Sequence, residues 1–246
     1  YHDDVIDKAD IRRGRPSVVN KYGEISAILG GDFLHSRSMF LVGSTAGSEA
    51  LDVFCGATNA MVDGEFLQLR NARNYSLSED DYYAAVRGKT ALLIAATCEI
   101  GAMAGGAAEA ERKVLTDYGL GLGTAFQIVD DLLDYLGDSA STGKAVGNDF
   151  QEGKMTLPVI LALNNAAQHD KERLLALLAE ENGSGDNFYE ACQLIERYNG
   201  FQQSRLQAKS ILRDSLAGLE IFSGKEAGAI RKILETLAEY VLIRKK

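Results

Sequence analysis

Gln127-Ile128-Val129-Asp130-Asp131-Leu132-Leu133-Asp134 sits inside an otherwise apolar run, residues 119–136. On a helix, residues three and four apart share a face. Gln127, Asp130 and Asp134 then project the same way, with Asp131 about a quarter-turn aside. Like charges at that spacing weaken a helix. Two carboxylates ~6 Å apart repel by roughly 0.7 kcal/mol in water and about 3 kcal/mol at an effective dielectric of 20. A solvated acidic face is the plain reading of one such cluster. A bound cation is the other.

The pattern occurs twice. The chain opens Tyr1-His2-Asp3-Asp4-Val5-Ile6-Asp7, again Asp-Asp-x-x-Asp. Two such faces can oppose each other across a cavity. Oxygen-only donors suit hard cations, Mg2+ above all, which is usually held by a few carboxylates together with substrate phosphates. The paired clusters therefore point to Mg2+ between the protein and a phosphorylated ligand.

With 246 residues, 46% of them hydrophobic, the chain is long enough for one sizeable core and too apolar for a disordered polymer. The length suits one large helical domain and two smaller ones equally well. The net charge of −9 argues against a nucleic-acid surface. Six of those charges are the aspartates of the two clusters, so the excess sits where a metal is expected. Cys55, Cys98 and Cys192 are far apart and form no metal-ligand spacing, which reads as buried free thiols in a reducing compartment. The most apolar run, residues 90–108, is broken by Glu99 and does not suit a membrane span. A cytoplasmic protein is expected.

Helical periodicity covers 25–41, where Ile25, Ile28, Leu29, Phe33 and Phe40 form a stripe with Asp32 beside it as a structural acid. It resumes over 48–70, with Val53, Met61 and Phe66 as core candidates. Glu65 and Gln68 on that helix face either a cavity or solvent. Ser78-Glu79-Asp80-Asp81 is a helix start, and the helix runs through Lys89-Thr90 into a nearly all-apolar stretch ending at Met103. Lys89 at the edge of such a helix needs a partner or a route to water. Residues 137–155 are polar and glycine-rich and carry Lys144, Asp149 and Lys154. A loop that long is usually functional, and it reads as a lid. Further helices are expected over 171–178, 188–195, 202–222 and 225–243, the last ending in Arg244-Lys245-Lys246, which suits a helix C-terminus. No strand is expected.

Taken together, Asp-Asp-Val-Ile-Asp (3–7), Arg-Arg-Gly-Arg-Pro (12–16), Gly-Asp-Phe-Leu (31–34), Gly-Lys-Thr (88–90), the stretch at 127–134, Gly-Lys-x-x-Gly-x-Asp (143–149) and Gly-Lys-x-Thr-Leu-Pro (153–158) resemble the trans-isoprenyl diphosphate synthases, the polyprenyl synthetase family. The absence of an insertion between the first aspartates is similar to the long-chain (octaprenyl, heptaprenyl or solanesyl) synthases. The resemblance implies one all-α domain over 1–246, a helical isoprenoid-synthase bundle around a central cavity. Because Asp3 follows no helix-start signal, it also implies N-terminal helices upstream of Tyr1 that are missing here. The implied reaction is head-to-tail condensation of isopentenyl diphosphate with an allylic diphosphate. Three Mg2+ per site would be held by Asp3, Asp7, Asp130 and Asp134, with Asp4 and Asp131 as supporting groups. Arg12, Lys89, Thr90, Gln127, Lys144 and Lys154 would meet the allylic diphosphate, and Arg13 the isopentenyl one. Lys89, Lys144 and Lys154 would assist ionisation. A homodimer, with at most peripheral membrane contact through a greasy product, is implied as well. A synthase of farnesyl or geranylgeranyl length, a non-catalytic subunit of a heteromeric synthase, a terpene cyclase and a helical interaction protein are the alternatives. The all-aspartate second cluster disfavours a cyclase, and the presence of both clusters disfavours a non-catalytic subunit.

Overall fold

The computed structural model describes residues 1–12, 14–137, 147–180 and 185–244. The order is α1 (His2–Ile6), β1 (Ile11–Arg12), β2 (Arg15–Pro16), α2 (Val18–Tyr22), α3 (Glu24–Asn71), α4 (Glu79–Val86), a π-helical turn (Arg87–Ala91), α5 (Leu92–Ala104) and α6 (Glu109–Leu136). Then follow α7 (Asn148–Gln151), α8 (Leu157–Asn165), α9 (Gln168–Ala179), α10 (Gly185–Arg197), α11 (Gly200–Ala217), a 3-10 turn (Gly218–Ile221) and α12 (Lys225–Ile243). The expected all-α class holds.

α6 is the axis. It packs on α5, α11, α12 and the π-helical turn. Its inner face buries Tyr118, Ile128, Val129 and Leu132, and Tyr118 Oη donates to the Leu234 carbonyl of α12 at 2.9 Å. α8 is buried on every side from Leu157 to Leu163, with Pro158 in its first turn where no amide donor is lost. Arg112 of α6 ties three helices, reaching Glu49 of α3 at 2.7 Å and Glu99 of α5 at 3.0 Å. Ser78 caps α4 as expected, its hydroxyl accepting from the Asp81 amide.

One local expectation holds and others change. The helices expected over 25–41 and 48–70 are separated at Gly47 inside α3, where the backbone leaves helical geometry with a φ of 87° that no side-chain-bearing residue adopts without strain. The stripe Ile25, Leu29, Phe33 and Phe40 is exposed rather than in the core, and so is Phe66 at 67% exposure. α3 instead meets α5 and the π-helical turn, and the residues it buries, Ala27, Ala50, Ala57 and Gly64, are small. On α12, Ile230, Ile233 and Leu237 are likewise exposed, and Ala238 and Val241 face inward. No strand is expected, yet Ile11–Arg12 and Arg15–Pro16 pair as two minimal antiparallel strands, Ile11 opposite Pro16 and Arg12 opposite Arg15. Two-residue strands leave no alternation to read. The three cysteines are free but only half-buried. No helix among the described residues is long and apolar enough to cross a membrane.

The α5–α6 crossing relies on missing side chains. A Cβ at Gly119 would lie 2.8 Å from Ala95 Cα and 2.9 Å from the Ile94 carbonyl, both backbone atoms that cannot swing away, whereas nothing lies within 4 Å of one at Gly101. We expect Gly119→Ala to destabilise the fold by roughly 1–3 kcal/mol through overpacking. Gly101→Ala should stabilise it by up to about 1 kcal/mol through helix propensity. Urea denaturation of the two variants checks this, and equal effects would rule out the close crossing.

Candidate active site

Asp131 of α6 is buried, and both its oxygens are satisfied. Tyr82 Oη donates to Oδ2 at 2.6 Å, and Gln127 Nε2 donates to Oδ1 at 2.9 Å. The Gln127 carbonyl oxygen in turn accepts from Thr90 Oγ1 at 3.0 Å. One hydrogen-bonded chain therefore joins α4, the π-helical turn and α6. Gln127 thus pairs with Asp131, not with the Asp130–Asp134 face expected of it. Four residues advance a helix about 400°, so Asp131 lies only about 40° from Gln127, whereas Asp130 lies about 60° away on the other side. Burial, then the charge of Asp149, pushes the Asp131 carboxyl up to about 8, against the pull of its two donors.

Asp134, half-buried, accepts the backbone N–H groups of Asn148 (3.2 Å) and Asp149 (2.9 Å). Burial and the Asp149 charge push it to about 7, and those amides and Lys154 pull it down. Lys154 Nζ lies 3.2 Å from Asp149 and 2.6 Å from Glu152, and their charges raise its pKa despite its burial. Asp130 is 51% exposed, with Arg244 Nη2 3.0 Å from Oδ1. That guanidinium also donates to the Phe126 carbonyl at 3.0 Å and lies 3.8 Å over the Phe126 ring.

The first cluster divides in the same way. Asp4 is buried, with Arg12 Nη1 3.6 Å from Oδ1, beyond hydrogen-bond reach, so among the described residues Oδ1 is a buried acceptor without a donor. Asp3 and Asp7 lie on the exposed side of α1. α1 is fixed to α3 by His2 Nε2, 3.0 Å from the Ile28 carbonyl and 3.2 Å from Asp32, the acid expected to be structural. Partial burial raises the Asp7 carboxyl, and the charges of Lys154 and then Lys89 lower it. Lys154 therefore acts on Asp7 of α1 and on Asp134 of α6 at once. Lys89 finds the partner it needed in Glu65 of α3, at 2.6 Å.

Arg13 and Lys144 lie outside the described residues. Tyr82 and Arg244 were not singled out from the sequence. Tyr82 carried no signal beyond its place in α4, and Arg244 was read as the cap of its own helix. An apolar cavity of about 230 Å³ between α6 and α12, lined by Leu115, Phe222 and Leu234, includes none of the site residues in its walls.

Among the described residues no three His, Cys, Asp or Glu side chains converge on one point. The donor set nevertheless suits a hard divalent cation. All its donors are carboxylate oxygens, one of them buried without a hydrogen-bond partner, and the carboxyls of Asp7, Asp131, Asp134 and Asp149 are all pushed up. An ion that takes one or two carboxylates and completes its shell with phosphate oxygens and water needs no three-carboxylate cage.

Comparison with known proteins decides the family. The polyprenyl synthetase family matches residues 1–195. The chain belongs to that family. A short chain isoprenyl diphosphate synthase of Methanothermobacter thermautotrophicus is 39% identical, over 99% of this chain and 74% of its own length. An octaprenyl diphosphate synthase of Haemophilus influenzae is 34% identical, over 92% of this chain and 68% of its own length. The crystal structure of a decaprenyl diphosphate synthase from Rhodobacter capsulatus superposes with a TM-score of 0.90 at 36% identity, covering all of this chain and 74% of that one. A polyprenyl synthase from Caulobacter crescentus, complexed with calcium and isoprenyl diphosphate, gives 0.89 at 34% identity over the same shares. As a polyprenyl synthetase the chain is a trans-prenyltransferase of isoprenyl chain elongation, an activity that needs a divalent metal.

The raised carboxyls have a consequence in metal-free protein. Unfolded, Asp131 and Asp134 titrate near their ordinary value of 3.8; folded, at about 8 and about 7. The stability they lend is complete below pH 3.8 and is lost as pH rises through the folded values, because the native state holds the extra protons. In chelator, the contribution of these two groups should make the melting temperature fall from pH 5 to pH 8. Mg2+ should raise it more at pH 8 than at pH 5. A melting temperature that climbs over that window in wild type, and equally in Asp131→Asn, would contradict these shifts.

Proposed function

We propose that α1 and α6 form the two walls of one prenyl-transfer site, with Asp3, Asp7, Asp130 and Asp134 holding Mg2+, three ions when diphosphate is bound. The observation that carries this reading is the placement of Lys154, 3.2 Å from Asp149, whose amide donates to Asp134 at 2.9 Å; the charge of the same ammonium also lowers the carboxyl of Asp7 on α1. When bound, the metal supplies positive charge against diphosphate oxygens. Calcium and isoprenyl diphosphate together in the Caulobacter relative support a hard cation of this kind.

The chain's own groups do the rest. Arg12, Lys89, Lys144 and Lys154 offset the charge that develops on the departing allylic diphosphate; Gln127 donates to it with the amide hydrogen that Asp131 does not take, and Thr90 does so by turning its hydroxyl from the Gln127 carbonyl. Lys89, Lys144 and Lys154 thereby assist the ionisation itself. Stabilising charge on a leaving group is where pre-placed cations act most strongly. The C–O bond breaks to an allylic cation, which the double bond of isopentenyl diphosphate, presented by Arg13, attacks. The released diphosphate takes the final proton. Asp131 and Asp4 support the walls. The protein works as one all-α domain in the cytoplasm and touches membrane only through its product. It pairs as a homodimer through the exposed apolar face of α3, where Ile25 is 75% exposed and Phe33 and Phe40 lie beside it. Similarity to octaprenyl and decaprenyl synthases supports a long-chain product; the short chain synthase is the counterweight.

The test is incubation with isopentenyl diphosphate, farnesyl diphosphate and Mg2+, with product length read by reversed-phase chromatography. Asp130→Ala should lower turnover at least a hundredfold, about 2.7 kcal/mol of lost transition-state stabilisation. Its circular dichroism should stay that of wild type, because Arg244 keeps the Phe126 carbonyl and ring. Turnover near wild type in that variant removes Asp130 from the mechanism.

A further inference from the structure

The π-helical turn that carries Lys89 is clamped from two sides. Gly64 of α3 lies directly on the Gly88–Lys89 peptide. A Cβ there would overlap the Lys89 amide nitrogen and come within 2.7 Å of Gly88 C and 2.9 Å of Lys89 Cα. On the α6 side, a Cβ at Gly123 would lie 2.7 Å from Ala91 Cα. The turn is one residue wider than the α-helix around it, and such turns need packing of this kind to persist.

With its backbone held, Lys89 still carries a four-carbon stem with about 2 kcal/mol of rotamer entropy. The residue after Gly64 holds the tip. Glu65 Oε2 is 2.6 Å from Lys89 Nζ, the two side chains being 18% and 28% exposed. The charge of Lys89 also lowers the carboxyl of Asp7 of α1, though the two form no ion pair. The ammonium is thus bonded to a carboxylate of α3 while its field reaches a carboxylate of the first aspartate cluster. Glu65 belongs to neither cluster, and the mechanism above gives it no part.

We infer that Glu65 is a positioning residue for the allylic diphosphate. It holds the Lys89 ammonium toward α3 and so keeps it from collapsing onto Asp7. Three donors sit on an ammonium; Glu65 takes one, and two remain for phosphate oxygens. Without Glu65 the ammonium is free to swing toward Asp7, a carboxylate on which its charge already acts. A Lys89–Asp7 pair would withdraw the cation from the diphosphate and a carboxylate from the metal. The inference rests on the assignment of Lys89 to the allylic diphosphate.

The experiment is a double-mutant cycle of Glu65→Ala and Lys89→Gln, with Glu65→Gln as the conservative variant. The readouts are kcat, separate KM values for farnesyl and isopentenyl diphosphate, and calorimetric binding of inorganic diphosphate in Mg2+. Glu65→Ala should raise the farnesyl diphosphate KM and weaken inorganic diphosphate about tenfold, leaving the isopentenyl diphosphate KM within twofold. Glu65→Gln, which keeps an acceptor for the ammonium, should recover most of the loss. In the Lys89→Gln background, Glu65→Ala should add nothing. If Lys89→Gln weakens diphosphate but Glu65→Ala does not, or if the two losses add, the positioning role is overturned and the assignment of Lys89 stands. If Lys89→Gln itself leaves the farnesyl diphosphate KM and diphosphate binding unchanged, the assignment falls and the inference with it. Should Glu65→Ala not fold, Glu65→Gln carries the cycle: a partial, non-additive loss supports the role, and a wild-type or additive result overturns it.

Discussion

A carboxylate inside an apolar bundle has to be given donors, because an isolated buried charge costs several kcal/mol. Asp131 is that carboxylate here, and satisfying it arranges the site. Tyr82 comes from α4 and Gln127 from α6 itself, with Thr90 behind Gln127 on the π-helical turn. The hydroxyl of Tyr82 is held far above its ordinary pKa by burial and by the Asp131 charge, so it stays a donor at any working pH. α4, the turn carrying Lys89 and the second aspartate cluster thus keep one fixed relation, set by three side-chain hydrogen bonds. Asp134 does the same for the next segment by accepting the first amides of α7, which brings Asp149 and Lys154 to the cluster.

Charge balance explains the remainder. Each aspartate cluster splits into a buried member and exposed ones: Asp4 against Asp3 and Asp7, Asp131 against Asp130. The buried members look inward to arginine or hydrogen-bond donors, and the exposed members face the side from which a cation or a diphosphate arrives. Lys154 and Lys89 act on Asp7 without forming an ion pair with it, since each is already committed to another carboxylate. Cations that are oriented but not neutralised by the acids opposite them leave net negative charge for a metal and fixed positive charge for a phosphate.

What was legible in the sequence was what depends on neighbours along the chain. The two aspartate clusters, the Ser78 cap and the helix from Lys225 to Ile243 follow from residue type and spacing over a few turns. The failures share a physical origin. Burial of a helix stripe depends on what covers it, and α3 has its small residues covered instead of Phe33 or Phe66. The break between the helices at 25–41 and 48–70, by contrast, was legible, and it falls at Gly47, whose positive φ takes the backbone out of helical geometry. The Tyr82–Asp131 bond spans 49 positions and the Arg244–Asp130 pair 114, and no periodicity encodes either. Glu65 was visible as a residue of undecided face. Only the approach of the Gly88–Lys89 backbone to Gly64 settles that face.

The Arg244–Asp130 pair bears on how the second cluster is held. The Arg244 side chain is only 7% exposed while Asp130 remains 51% exposed, so the guanidinium is anchored chiefly by the Phe126 carbonyl and ring, with the carboxylate reaching across to it. It engages Oδ1. A carboxylate has about four lone-pair sites on two oxygens, so the claim of Arg244 on one oxygen leaves the other directed outward. The end of α12 therefore fixes the Asp130 rotamer without using it up. A side chain that stood free in solvent would otherwise lose its rotamer freedom when a cation bound. Having lost it already to Arg244, Asp130 can accept a cation at smaller entropic cost, which is the advantage of a pre-organised ligand.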